Sequence, residues 1–121
     1  MNMAYFSLLA EREYTGVVNE FPAYPYSLET VLSVFSEFFR SYERYRGEPH
    51  PPLKRGNIRR YILLMPYTSG SQETAEEIDE DLYPCMIESY FNAKFKGCDY
   101  RIGHFFSGDI RLLRVYETMY E

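Results

Sequence analysis

The chain has 121 residues, enough for a single domain spanning 1–121 with its own core and too few for two. A composition of 45% hydrophobic and 26% charged residues excludes disorder along the whole length, and 7 glycines with 7 prolines exclude collagen-like and proline-rich fibres. The formal net charge of -5 counts against binding polyanions with the whole surface, and 13 tyrosines with 9 phenylalanines and no tryptophan predict a core made largely of rings.

The N-terminus lacks the basic start of a secretory signal, and charges arrive at Glu11, Arg12 and Glu13. No run approaches the roughly 18 apolar residues of a membrane span. The expected setting is cytoplasmic, without membrane contact. Cys85 and Cys98 fit that setting as two free, buried thiols, although one disulfide between them stays open. They have no CxxC partner, so no zinc ligand set assembles, and no cofactor is implied.

In chain order, Ala4 to Leu9 and Gly16 to Phe21 read as two short strands around a bend at Tyr14-Thr15-Gly16. The prolines of Phe21-Pro22-Ala23-Tyr24-Pro25-Tyr26 impose an extended segment. Ser27 then caps a helix whose apolar face is Leu28, Val31, Leu32, Phe35, Phe38, Phe39, Tyr42 and Tyr45, closed by Gly47 and Pro49. Arg46 to Asn57 is a stiff loop with three prolines. Ile58 to Tyr67 reads as a central strand because Tyr61-Ile62-Leu63-Leu64-Met65 is nearly continuous in apolar character. Thr74 and Glu77 have capping-box spacing for a second helix, kinked at Pro84 and ending at Gly97. Ser107-Gly108 reads as the turn of a hairpin between Asp99–Phe106 and Asp109–Tyr116, which pairs Arg101 with Arg114 and His104 with Arg111.

These elements predict an α+β two-layer sandwich: two helices on a sheet of four or five mainly antiparallel strands, ending in a β-hairpin. The alternative is a winged helix, with Thr74–Leu82 and Pro84–Phe95 as its helix-turn-helix and the hairpin as its wing. The expected core is Leu32, Phe35, Phe39, Ile62, Leu64, Ile78, Leu82, Ile102, Leu113 and Val115.

No GxSxG, HExxH or glycine-rich phosphate loop occurs, and the carboxylates of Asp79-Glu80-Asp81 are adjacent rather than set across a cleft, so no enzyme is expected. Ser69-Gly70-Ser71 before a helix offers amides to an anion, but Glu73, Glu76 and Glu77 in the first turn repel one. His50, between two prolines, reads as solvent-facing, and His104 as a sheet-edge residue. A Cys–His dyad with Cys85 or Cys98 is open in composition, but no spacing demands it.

The charge layout says more. Residues 71–89 carry seven carboxylates, Glu73, Glu76, Glu77, Asp79, Glu80, Asp81 and Glu88, and no lysine or arginine. Residues 40–60 carry Arg40, Arg44, Arg46, Lys54, Arg55, Arg59 and Arg60 against only Glu43 and Glu48. Seven uncompensated carboxylates in one stretch repel one another and favour a basic partner. The expected function is a non-enzymatic protein-interaction module, an inhibitor or regulator presenting an acidic helix of Glu73, Glu76, Glu77, Asp79, Glu80 and Asp81 to a basic, nucleic-acid-binding protein, or forming a homodimer. The alternative is a nucleic-acid or polyanion binder using the seven basic residues of 40–60 with Arg101 and Arg114, and with Tyr42, Tyr45 and Tyr61 available to stack on bases.

Overall fold

The computed structural model describes residues 1–68, 76–107 and 110, and it is helical. Its elements are α1 (Met3–Glu20), α2 (Leu28–Arg46), α3 (Arg55–Leu64), α4 (Tyr83–Asn92) and the single turn α5 (Ile102–Phe105), with a 3-10 turn at Glu80–Leu82 leading into α4. The described residues form no sheet; their one extended pairing is an isolated antiparallel bridge between Tyr67 and Glu77. The α+β sandwich is thereby overturned.

Each lost strand has a physical reason. In α1 the residues Phe6, Ala10 and Val17 are buried, and Leu9 and Tyr14 pack beside them, which is helical spacing. The strand-like look of Gly16 to Phe21 rests on the β-branched pair Val17 and Val18, whose β preference is weak beside packing. The helix begins where Asn2 accepts the Tyr5 amide at 3.1 Å. In α3 the buried residues are Ile58, Tyr61 and Ile62, followed by Met65 just past its end, while Leu63 and Leu64 are half-buried. A short continuous apolar run suits a buried strand or a buried helix equally, and the helix won.

The predicted helix from Thr74 fails over 76–79. There the Thr68 amide donates to the Glu76 carbonyl and the Ile78 amide to the Pro66 carbonyl, at 2.9 and 2.6 Å, so these backbone groups are committed to residues 66–68. Asp79 accepts the Asp81 amide at 2.9 Å and opens the 3-10 turn. Helix α4 starts after it with Pro84 in its first turn, where a missing N–H leaves no intrahelical bond unmade. The first hairpin strand is overturned too. Arg101 is extended, and Ile102–Phe105 then close a helical turn. The rival winged helix falls with these segments. Arg111, Leu113, Val115 and Arg114, on the other hairpin strand, lie outside the described residues, as does Gly108 of its turn.

Helix α2 has the expected caps, but its buried face takes in Val34, while Leu28 and Leu32 are half-buried and Tyr45 is exposed. Ser27 accepts the Thr30 amide at 3.1 Å, and Gly47, at φ 75°, takes the left-handed C-cap conformation that only glycine adopts without strain. Its faces organise the molecule. Helix α1 packs on α3 and on α2, and α2 packs on α4. Phe6 stands edge-on to Phe35 and Phe39, each at 5.0 Å, joining α1 to α2. Phe38 meets Phe91 at 5.1 Å and Phe105 at 5.2 Å, joining α2 to α4 and α5. Of the expected core, Phe35, Phe39, Ile62, Ile78 and Ile102 are buried, and Leu32, Leu64 and Leu82 are half-buried.

The tyrosines also serve as hydrogen-bond donors. The hydroxyl of Tyr24 donates to the Ile62 carbonyl at 2.6 Å, and that of Tyr26 donates to Ile78 at 2.6 Å. Tyr83 donates to Met65, and Tyr14 to the Tyr26 carbonyl at 2.8 Å. Ile62 and Met65 lie at the end of α3, where carbonyls have no helical partner. Burial holds the Tyr24 hydroxyl well above the ordinary tyrosine range, so it remains a donor.

Candidate functional site

The acidic segment lines a groove. Its walls are Glu29, Thr30, Ser33, Val34 and Glu37 of α2 on one side, and Glu80, Asp81, Tyr83, Pro84 and Ile87 on the other, enclosing about 480 Å³. The Thr30 hydroxyl donates to the Glu80 carboxylate and fixes the two walls together at one end. Ser27, Thr30 and Ser33 line it together with Glu29, Glu37, Glu80 and Asp81, while Val34, Pro84 and Ile87 supply apolar surface. No lysine or arginine is among the described residues that line the groove, and Glu37 pairs with Arg40 at 3.5 Å.

The predicted acidic set is therefore divided. Glu80 and Asp81 enter the groove, on a 3-10 turn instead of an α-helix. Asp79 caps that turn, and Glu76 and Glu77 are exposed on the extended piece bridged to 67–68. Glu73 lies outside the described residues. Sequence reasoning missed Glu29 and Glu37. Their signal was present: Glu29, Ser33 and Glu37 recur every four residues on the polar side of an assigned amphipathic helix.

The described members of the basic set do not gather into one site. Arg55 pairs with Glu13 at 3.1 Å, and Arg59 pairs with Glu20, so two of its charges tie α3 to α1. Arg40, Arg44 and Arg46 lie on the last turns of α2, where cations complement the helix dipole. Lys54 and Arg60 are exposed at α3, and Arg101 precedes α5; Arg114 lies outside the described residues. Two of the three rings offered for stacking are buried, Tyr42 at 2% and Tyr61 at 8% exposure, and only Tyr45 is open at 50%.

Both histidines are placed differently from expectation. His50 is buried against Phe39 and Tyr42, with ring centroids at 5.0 and 4.7 Å. Its Nδ1 lies 2.7 Å from the Pro51 carbonyl, and its Nε2 accepts the Ile102 amide at 3.0 Å. A carbonyl only accepts, so the proton sits on Nδ1 and the ring is neutral. Burial pushes its pKa below the ordinary histidine value, with the Arg101 charge acting in the same direction. His104 faces Tyr90 and Cys98 instead of a strand partner. Cys98 is half-buried, whereas Cys85 is exposed and not the buried thiol expected; both are free.

No group of three or more His, Cys, Asp or Glu among the described residues could hold a metal ion, and no helix among them is long and apolar enough to cross a membrane. No protein-family model matches the chain, and no match to it emerges among curated proteins or solved structures.

Proposed function

We propose that this chain is a non-enzymatic interaction module that takes a basic segment of a partner protein into the groove between α2 and the 3-10 turn with α4, and so acts as an inhibitor or regulator of that partner. The observation that carries this reading is the groove lining: Glu29, Glu37, Glu80 and Asp81 come from two separate elements and line one space, with no lysine or arginine among its described lining residues. Carboxylates held beside low-dielectric walls concentrate negative potential and attract cationic side chains. Val34, Pro84 and Ile87 give the stems of lysine or arginine an apolar surface to lie on. Nucleic acid suits this groove badly, since its phosphates meet carboxylates. The proposal includes a cytoplasmic setting, supported by two free thiols.

Fluorescence anisotropy with a short labelled Lys/Arg-rich peptide tests the reading. The quadruple variant Glu29→Gln, Glu37→Gln, Glu80→Gln, Asp81→Asn is expected to bind about tenfold or more weakly with helix content unchanged. Equal binding by that variant defeats the proposal. If single-stranded DNA binds instead, and replacing Arg55, Arg59 and Arg60 abolishes it, the polyanion alternative takes its place. Self-association abolished by the same groove variant assigns the basic segment to a second copy of the chain.

A further inference from the structure

The loop between α4 and α5 returns Cys98 to the His104 ring. Cys98 Sγ lies 3.2 Å from His104 Nδ1, and the Tyr100 amide donates to the same sulfur at 3.2 Å. The Tyr90 hydroxyl lies 2.7 Å from His104 Nδ1 and 3.8 Å from the sulfur. Tyr100 is held with φ at 58°, a conformation side chains rarely adopt, and that turn aims its N–H back at Sγ. The turn is secured from both sides: the Tyr100 hydroxyl donates to the Ala93 carbonyl at 2.5 Å and accepts the Phe95 amide at 2.9 Å.

The thiol and the Tyr90 hydroxyl both lie within hydrogen-bond reach of Nδ1, and in the tautomer with its proton on Nε2 both can donate to the single in-plane lone pair of Nδ1. Burial, with the bond to Cys98 second, raises the Tyr90 hydroxyl well above the ordinary tyrosine range, so it keeps its proton. At 3.2 Å the thiol is placed to pass its proton to Nδ1. Once it does, the sulfur faces the Tyr100 N–H and the new Nδ1–H, both donors to negative charge. Cys85, exposed on α4, has no such partners among the described residues.

From this we infer that Cys98 is a reactive thiol, modified by small hydroperoxides with His104 as proton carrier. The step balances. Cys98 Sγ attacks one oxygen of hydrogen peroxide, the O–O bond breaks, and the thiol proton passes through His104 Nδ1 to the departing oxygen. The products are Cys98 sulfenic acid and one water; the sulfur loses two electrons and the peroxide gains them. A half-buried sulfur admits an oxidant of this size more readily than a bulky electrophile. The inference is independent of the groove.

The test uses the full chain with both native thiols. Protein is exposed to hydrogen peroxide, sulfenic acid is trapped with a dione reagent, and each cysteine is quantified by peptide mass. Folded protein is expected to label Cys98 about tenfold or more faster than Cys85, and the two rates are expected to converge in urea. A second variant, His104→Gln, is expected to bring folded Cys98 down to the Cys85 rate while circular dichroism stays helical. Exposed Cys85 reacting as fast as or faster than Cys98 in the folded chain overturns the inference without reliance on any variant. So does a folded His104→Gln protein whose Cys98 rate is unchanged.

Discussion

The Nε2 of His50 accepts the amide of Ile102 at 3.0 Å, joining the proline loop to the first residue of α5 across 52 positions of sequence. The first-turn amides of a helix lack helical acceptors, and here a side chain from another element supplies one. The bond requires neutral imidazole, because a protonated ring offers no acceptor.

Stability should therefore depend on pH through His50. Its folded pKa is depressed by burial, so the unfolded chain binds the proton more readily. The contribution is fully present above the unfolded histidine value of about 6.5 and is lost as pH falls through the depressed folded value. Urea unfolding as a function of pH should show the midpoint dropping on the acid side of about 6.5. A His50→Gln protein, less stable at neutral pH, should lose that part of the drop. An unchanged profile in the variant would mean that the carboxylates alone set the acid limit.

Tyr26→Phe should cost about 1–3 kcal/mol, since it leaves the buried Ile78 carbonyl without its donor at 2.6 Å. The same change at Tyr5, 63% exposed on α1, should cost close to nothing. Similar losses at both sites would show that ring packing, not the hydroxyl, is what Tyr26 contributes.

Phe35→Ala should destabilise by about 3–5 kcal/mol, the range for deleting a fully buried ring. Phe35 touches Phe6 of α1 and Phe39 of its own helix, so the cavity opens where α1 and α2 meet. Thermal unfolding that moves by less than the equivalent of about 1 kcal/mol would place this face of α2 outside the core.

Gly16→Ala should be neutral or stabilising by up to about 1 kcal/mol. A Cβ there would stand 3.3 Å from Arg59 Nη1, whose partner is Glu20. Removing a glycine from a helix interior gains about 1 kcal/mol, whereas a surface ion pair contributes about 0–1 and its flexible end can move aside. A clear loss of stability would show that the Arg59–Glu20 pair is stronger than exposed pairs usually are.

Binding of the basic peptide, if the groove proposal holds, should weaken steeply with added salt, because carboxylate pairs at a solvent-open groove are screened within about 8–10 Å at moderate ionic strength. Affinity that is flat between low and high salt would indicate that Val34, Pro84 and Ile87, not the carboxylates, carry the binding.

Much of α2 was legible because every local signal agreed. Ser27 at its start, Gly47 at its end and the three- and four-residue spacing of Val31, Phe35, Phe38 and Tyr42 all specify one helix. The ring-rich core followed from composition alone. Where local signals conflict, only tertiary packing decides. Tyr61 to Met65 are apolar without a break, and it is burial of Ile58, Tyr61, Ile62 and Met65 that selects the helical period. Thr74 and Glu77 have capping-box spacing, yet the backbone of 76–78 bonds to 66–68, a partner invisible to a local window. The same limit governs the site. Acidity of residues 71–89 is written in the sequence, but Glu29 and Glu37 join Glu80 and Asp81 only because α2 packs against α4. His50 and Ile102, or Cys98 and the His104 ring, acquire their chemistry from hydrogen bonds with defined geometry, and composition and spacing carry no information on how the chain will orient those atoms.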